Sequence, residues 1–449
     1  MQMTVEMMSW QPTVALIIFL VAYAIWMTEQ LNRALVALIA AVLFLLLGIV
    51  QWSSAFQLHI DWNTLLLWTG LIVMAAVLGR SGWIHRLAIV LIRYSGKRLA
   101  LLYLYMMLLA GIGSALLDAV TMMLILVPIM LAIAKTFRVS PTPFLIGSVL
   151  AANIGGTATL IGQPANIWIG TANPQLDFGA FITALGPIML LLFIMNIGLV
   201  WLFYCKTLRI QPSVLQPDKL PIMQTEMNDS AYSVVRRAIL PVLYVIVIVL
   251  LVFAPQLGWK PGWIVGSGAV LLLLAGQWTS GIRPLGILKQ LEWDTLLFFA
   301  GLFILAGGLA QTGWMTAGAT YLIELTNGNM RMVAMIMLWV TGLLSLAMDH
   351  MPWIAAAIPL LHETGQQMEA SSPGLLNPLW WALVLGAGIG SSGTLLGSAA
   401  GLIAASMAER EGQRLRYVEF LRIALPLTLL SLLLASFYLI AVLMPSGIS

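Results

Sequence analysis

Charge is the scarcest property of this chain: 8% of its 449 residues are Asp, Glu, Lys or Arg, against about 25% in a soluble protein. Cysteine is almost missing. A single Cys205 excludes a disulfide framework within one chain and any site built from several thiolates. The four histidines, His59, His85, His350 and His362, are scattered without metal-ligand spacing. No nucleotide-cradling loop and no nucleophile–base pair stands out, so the chain reads as a non-enzyme that needs no cofactor. Nothing supports nucleic-acid binding, because the formal net charge of +4 comes from clustered basic residues that serve orientation. Residues 1–10 contain no Lys or Arg. The basic start of a cleaved secretory signal is therefore missing, and the first apolar run is expected to stay as a transmembrane helix.

What the chain has is hydrocarbon. It is 61% hydrophobic, in runs of the roughly 20 residues that cross a bilayer. The expected class is an all-α polytopic membrane protein of a plasma membrane, of the bacterial inner-membrane kind.

The chain also repeats itself. Residues 61–128 recur without a gap at 292–359. The first copy opens Asp61-Trp62-Asn63-Thr64-Leu65-Leu66 and the second Glu292-Trp293-Asp294-Thr295-Leu296-Leu297. Gly70 falls on Gly301, Gly82-Trp83 on Gly313-Trp314, Ser114 on Ser345, Asp118 on Asp349 and Pro128 on Pro359. After small insertions the match resumes, with Thr159-Leu160 on Thr394-Leu395, Gly162 on Gly397, Phe181 on Phe420 and Pro187 on Pro426. An internal duplication in apolar segments broken by Gly is the pattern of secondary transporters.

Charge makes the repeats inverted. Segment 80–98 holds Arg80, Arg86, Arg93, Lys97 and Arg98, whereas its counterpart 311–329 has no Lys or Arg. Arg410, Arg414, Arg416 and Arg422 mark a second basic loop, whose counterpart 171–183 has none. Basic loops stay in the cytoplasm, so equivalent loops lie on opposite sides. That requires an odd number of crossings per repeat, and five fits. Segment 99–138 is then a re-entrant hairpin entering from the cytoplasm, and 330–370 its mirror from outside. Residues 1–205 form the first repeat, 206–235 a polar cytoplasmic linker and 236–449 the second repeat. Both termini are expected outside. Segment 82–95 reads as an amphipathic helix at the inner surface. The tryptophans Trp52, Trp62, Trp83, Trp293 and Trp314 read as belt residues at span ends.

Four stretches put polar residues and helix breakers at membrane depth: 114–121, 153–166, 345–352 and 386–401. Irregular backbone survives there only beside protein or a water-filled cavity. The first and third are hairpin tips; the second and fourth break the spans expected at 141–170 and 376–408. Broken helices expose amides and carbonyls that suit polar solutes and ions. Asn153, Thr157, Thr159, Asn166, Ser391, Ser392, Thr394 and Ser398 supply the candidate substrate-binding groups. A competing reading takes the small residues as packing devices.

Asp118 and Asp349 are the candidate proton or cation carriers, because an intramembrane carboxylate costs several kcal/mol unless protonated or paired. Each also has the position of an N-cap for the helix after its tip; the two roles are compatible. His350, which faces Ala119 in the other copy, is either a proton-responsive group on one side of the site or an ordinary polar tip residue. None of the four motifs contains Lys or Arg, which argues against a multivalent anion.

Taken together, 114–128 and 153–166 resemble the ion transporter superfamily, nearest the ArsB and melanocyte P-protein branch, with the NhaD-type antiporters close by. The first tip reads like S-A-x-L-D-N and the first break like N-I-G-G-x-A-T-x-I-G-x-P-x-N; the second half reads like D-N-x-P followed by G-x-x-G-T-L-I-G-x-S-A-N. The chain departs from these patterns at Ala119, His350 and Gly401, where the family has Asn. Fewer side-chain amides weaken the case for a Na⁺ site and favour proton coupling through Asp118, Asp349 or His350. The resemblance implies a fixed scaffold, a mobile unit bearing hairpins and broken helices, an elevator-like shift and a homodimer. For the arsenite branch it also implies an energising ATPase subunit. The leading expectation is proton-coupled efflux of arsenite or antimonite. A Na⁺/H⁺ antiporter and a small-anion (carboxylate) transporter are the alternatives.

Overall fold

The computed structural model describes residues 8–28, 30–96, 98–208, 234–289, 291–368 and 376–444. The first half contains α1 (Gln11–Thr28), α2 (Arg33–Leu46), α3 (Trp62–Arg80), α4 (Trp83–Ser95), α5 (Leu99–Leu116), α6 (Ala119–Phe137), α7 (Thr142–Thr157), α8 (Pro164–Ala172) and α9 (Phe178–Phe203). The second contains α10 (Val234–Val252), α11 (Pro261–Ser280), α12 (Trp293–Gln311), α13 (Trp314–Thr326), α14 (Met330–Ala347), α15 (Met351–Gln367), α16 (Asn377–Gly390), α17 (Ala399–Arg410) and α18 (Tyr417–Tyr438). Each helix of the first half has its counterpart nine places on. Of the expected linker, residues 209–233 lie outside the described residues.

Local chemistry sets the ends. Asn32 caps α2 by accepting from Ala34 N and Leu35 N, and Asp61 caps α3 through Asn63 N and Thr64 N. Asp177 caps α9 through Ala180 N, and Pro187 lies inside that helix. Gly82 and Gly313 stand before α4 and α13 at φ 71° and 79°. This left-handed backbone, which a Cβ disfavours, turns the chain from a span into the surface helix in both repeats.

Among the described residues, nine helices are long and apolar enough to cross a membrane, and α5, α6 and α14 are among them. From the sequence they are expected as hairpin arms; α5 and α6 are joined by Leu117 and Asp118, and α14 and α15 by residues 348–350. Asp118 alone caps α6 after the turn at Leu117, and Ala119 N donates to Gly162 O at 3.4 Å. The tip thus lies at the depth where the span α7–α8 is broken. The second hairpin meets the α16–α17 break through Thr394 Oγ1, which donates to Leu346 O.

Gly155 and Gly390 explain how closely hairpin and broken span approach. A Cβ on Gly155 would collide with Gly111 O, and one on Gly390 with Gly342 O. Backbone meets backbone at equivalent places in the two repeats, as small residues permit inside a bilayer.

The halves interlock. The first-repeat α2 lies along the second-repeat α12, Ala37 against Gly301 and Phe44 against Gly308; α11 lies along α3, Val265 against Gly70. These four helices form a central frame, with the hairpins and broken helices packed around it. Arg80, whose guanidinium reaches Gly286 O at 3.3 Å, marks the frame end at which α2 and α12 begin.

Candidate functional site

A cavity of about 470 Å³ sits between the frame and the two hairpin units. It is bounded by both tips (Leu117 to Thr121, and Asp349 to Met351), both breaks (Asn153 with Ile161 to Pro164, and Ser391 with Leu396 to Ala400) and the starts of α2 and α12. Four segments that the chain spaces across about 280 residues are thus one site. The mouth is ringed by exposed Asn32, Glu292 and Asp294 at the Arg80 end of the frame; the floor holds buried Asn153, Gln163, Ser391 and Ser398. Beyond the floor, an aromatic block closes the other end. Trp68 meets Phe299 at 4.1 Å between ring centroids, and Trp168 meets Phe303 at 4.7 Å. Further along, Thr64 Oγ1 donates to Thr171 Oγ1 at 2.5 Å, joining frame helix α3 to α8.

Asp118, Asp349, His350, Asn153, Ser391 and Ser398 all line the cavity. Asn153 Nδ2 donates to Ser398 Oγ at 3.1 Å, joining the two breaks across the pseudo-symmetry axis. Ser398 Oγ also accepts from Gly401 N, capping α17. Asp118 caps α6 by accepting from Thr121 N at 2.8 Å; Asp349, one residue before the N-cap His350, accepts from Met351 N at 3.1 Å, and both face the cavity.

Thr157, Thr159, Asn166, Ser392 and Thr394 do not border it. Their polar groups satisfy backbone carbonyls of the broken helices and of the hairpin arms. Thr159 Oγ1 donates to Ala115 O at 2.6 Å, and its counterpart Thr394 Oγ1 to Leu346 O at 2.7 Å. Each hairpin is thereby fastened to its own broken helix by an equivalent bond. Asn166 Nδ2 donates to Gly156 O, Thr157 O and Thr159 O, at 2.8 Å for the last. Thr157 Oγ1 donates to Asn153 O, and Ser392 Oγ lies at 3.5 Å from Gly388 O. Buried carbonyls need donors, and these side chains are the nearest supply.

Two cavity residues lay outside the sequence reading. Arg33, at the start of α2, forms an ion pair with Asp349. The absence of Lys and Arg from the four motifs therefore does not make the site free of cations, because the guanidinium comes from a fifth segment 316 residues away in the chain. Gln163 lies inside the first break. Its Nε2 donates to Asn153 O at 3.0 Å, while Gln163 Oε1 is buried without a partner, as is Nδ1 of His350. Buried polar atoms in native structures are nearly always bonded, so these two mark hydrogen-bonding capacity kept for something that enters the cavity. The sequence signal for Gln163 was its place in the break; for Arg33 it was a lone basic residue at a helix start, after the polar stretch 28–32 and before an apolar helix.

Comparisons with known proteins agree with this architecture. The citrate transporter (CitMHS) family model matches residues 23–386. An uncharacterized transporter of Mycobacterium tuberculosis is 31% identical over 435 residues, covering 95% of this chain and 97% of the relative. The P protein of Homo sapiens is 28% identical over 517 residues, covering 96% of this chain but 60% of that longer protein. A crystal structure of the YdaH transporter of Alcanivorax borkumensis, described as having an unusual topology, shares the fold at a TM-score of 0.51, with 16% identity and 84% of each chain covered.

Proposed function

Because the chain belongs to the citrate transporter family, and so is a multi-pass membrane transporter, we propose that it carries a small carboxylate anion across the membrane in company with protons. The observation that supports this most directly is the cavity itself. It lines one space with the Arg33 guanidinium, the Asn153 and Gln163 amides and the Ser391 and Ser398 hydroxyls, with a carboxyl group at each hairpin tip. Guanidinium N–H groups match carboxylate oxygens. Asp118 and Asp349, once protonated, cease to repel an anion; this ties its entry to proton uptake. A volume of about 470 Å³ belongs with small-molecule sites, typically about 300–1,000 Å³, and far exceeds what a bare Na⁺ needs.

The sidedness follows from charge. Arg80, Arg283 and Lys289 cluster at the frame end where the cavity opens, while Lys260 stands at the other. By the positive-inside rule, the cavity opens to the cytoplasm and the aromatic block shuts it from outside. Exchange between the two sides would move the hairpin units, each fastened to its broken helix, along the frame. A proton gradient would drive it without an ATPase.

Arsenite keeps one point in its favour: as a neutral trihydroxide it would need only hydroxyl, amide and carbonyl partners, and the floor offers all three. Proteoliposomes under an imposed pH gradient separate the readings. Labelled citrate, succinate, arsenite and Na⁺ are offered to the wild type and to an Asp118→Ala, Asp349→Ala double variant. Gradient-dependent uptake of a carboxylate, lost in the variant, is expected. Uptake of arsenite alone, or proton release on adding Na⁺ without carboxylate uptake, would overturn the carboxylate reading.

A further inference from the structure

The two hairpin tips are built alike but finished differently. At the first, Tyr244 of α10 donates its hydroxyl to Leu116 O, and Asp118 accepts from Thr121 N. At the second, Tyr23 holds the equivalent place on α1, in Val21-Ala22-Tyr23 against Val242-Leu243-Tyr244. Yet the Tyr23 hydroxyl is buried without a partner, as is His350 Nδ1. This second tip is the one that holds Arg33.

The ion pair joins two bodies. Arg33 belongs to the frame, since α2 is fixed along α12 and Asn32 Nδ2 reaches Asp294 Oδ2 at 3.3 Å. Asp349 belongs to the second hairpin unit, fastened to the α16–α17 break by Thr394. Arg33 and Asp349 keep 35% and 26% of their side-chain surface exposed, toward the cavity. An entering anion can therefore reach the guanidinium without unfolding anything. The guanidinium holds Asp349 through Nη1, and its planar fork of donors is shaped for a carboxylate.

We infer that Arg33 is the group that recognises the substrate's carboxylate, and that it does so by exchange. Asp349 occupies it in the empty site. A proton from the cytoplasmic water neutralises Asp349, the pair is released, and the substrate's carboxylate takes the guanidinium. Each exchange adds one proton on Asp349 for the one substrate carboxylate that takes the guanidinium, so the charge at that contact is unchanged. The same event unlatches the second hairpin from α2, which makes movement conditional on loading. The groups facing Asp349 are Arg33 on α2, Tyr23 on α1 and His350 beside it; Asp118, Glu292 and Asp294 face it across the cavity. The unpartnered Tyr23 hydroxyl and His350 Nδ1 supply the polar contacts that the released tip needs. This inference rests on the carboxylate reading.

The test is calorimetric binding of citrate, and separately succinate, to the purified full-length protein in nanodiscs. Titrations at pH 5.5 and 7.5, in buffers of different ionisation enthalpy, count protons taken up. For the wild type, affinity is expected to rise at least tenfold on acidification. Asp349→Asn is expected to bind with little pH dependence and to take up one proton fewer per anion. Arg33→Gln is expected to lose at least tenfold in affinity at both pH values. Arg33→Lys, which keeps the charge but not the fork, is expected to fall between and decides the matter where the Gln variant does not fold. Wild-type affinity in Arg33→Lys and Arg33→Gln, or undiminished proton uptake in Asp349→Asn, overturns the exchange while the carboxylate reading stands. A wild type that binds neither anion at either pH overturns both.

Discussion

His59 shows how one residue can carry a pH dependence away from the transport path. It lies in the turn between α2 and α3, covered by α12, with Nε2 at 3.0 Å from the Gln311 amide nitrogen. The amide donates, so the imidazole accepts and is neutral. Burial holds its pKa below the ordinary imidazole value. A depressed histidine stabilises the fold fully above the unfolded value of about 6.5, and that contribution is lost as pH falls toward the lowered folded one. The thermal midpoint of the wild type is therefore expected to drop between pH 7.5 and 5.5 by more than that of His59→Gln, which keeps a polar partner for Gln311. Parallel pH profiles would show that His59 is not responsible. At this scale the sequence was readable where a residue acts through its neighbours: Asp118 caps its helix as its position suggests, whereas at the second tip His350 holds the cap position and Asp349 accepts from Met351 N beside it. It was not readable for Thr159 and Thr394, whose hydroxyls look like ligands but are consumed by carbonyls 44 and 48 residues away.

Among elements, the broken helices depend on contact without side chains. Gly155 leaves no room for a methyl group against Gly111 O, whereas a Cβ on Gly198, in the middle of α9, would meet nothing within 4 Å. Both are helical glycines, so propensity favours Ala by about 1 kcal/mol at each. Packing reverses the sign at one of them. Gly155→Ala is expected to destabilise the protein by about 1–3 kcal/mol and to slow transport by shifting the break off its hairpin. Gly198→Ala should leave the melting midpoint unchanged or slightly raised. Equal midpoints for both variants would contradict the backbone contact between α5 and α7. The repeat made this element pair readable in principle, because Gly155 with Gly111 recurs as Gly390 with Gly342; what hid it is that glycine spacing alone does not say which helix comes close.

For the whole molecule, the arrangement commits to one open end. In a Cys205→Ser background, Asn32→Cys is expected to react with a membrane-impermeant maleimide in inside-out vesicles and to resist it in right-side-out ones. The mouth carries Asn32 on the basic side, and Trp68, Trp168, Phe299 and Phe303 close the path behind the floor. Labelling from the outer side alone would reverse the orientation. Trp52, Trp62, Trp83, Trp293 and Trp314, read from the sequence as belt residues, are exposed, whereas Trp68 and Trp168, which that reading did not single out, stand inside the bundle and form its barrier. Hydropathy does not separate an indole that faces lipid headgroups from one that faces another ring.

By itself the sequence determined the class, the duplication, the inversion and the four polar stretches. Each of these is written in composition, periodicity and charge sign, which need no partner to be seen. Tertiary structure decided which polar groups remain available. A bilayer leaves no released carbonyl unbonded, so most hydroxyls of the motifs are spent on the backbone. The cavity's cation comes instead from Arg33, on a helix outside the stretch that repeats without a gap. Its pairing with Asp349 follows from how the two inverted halves interlock, and no local pattern in the chain encodes that distance.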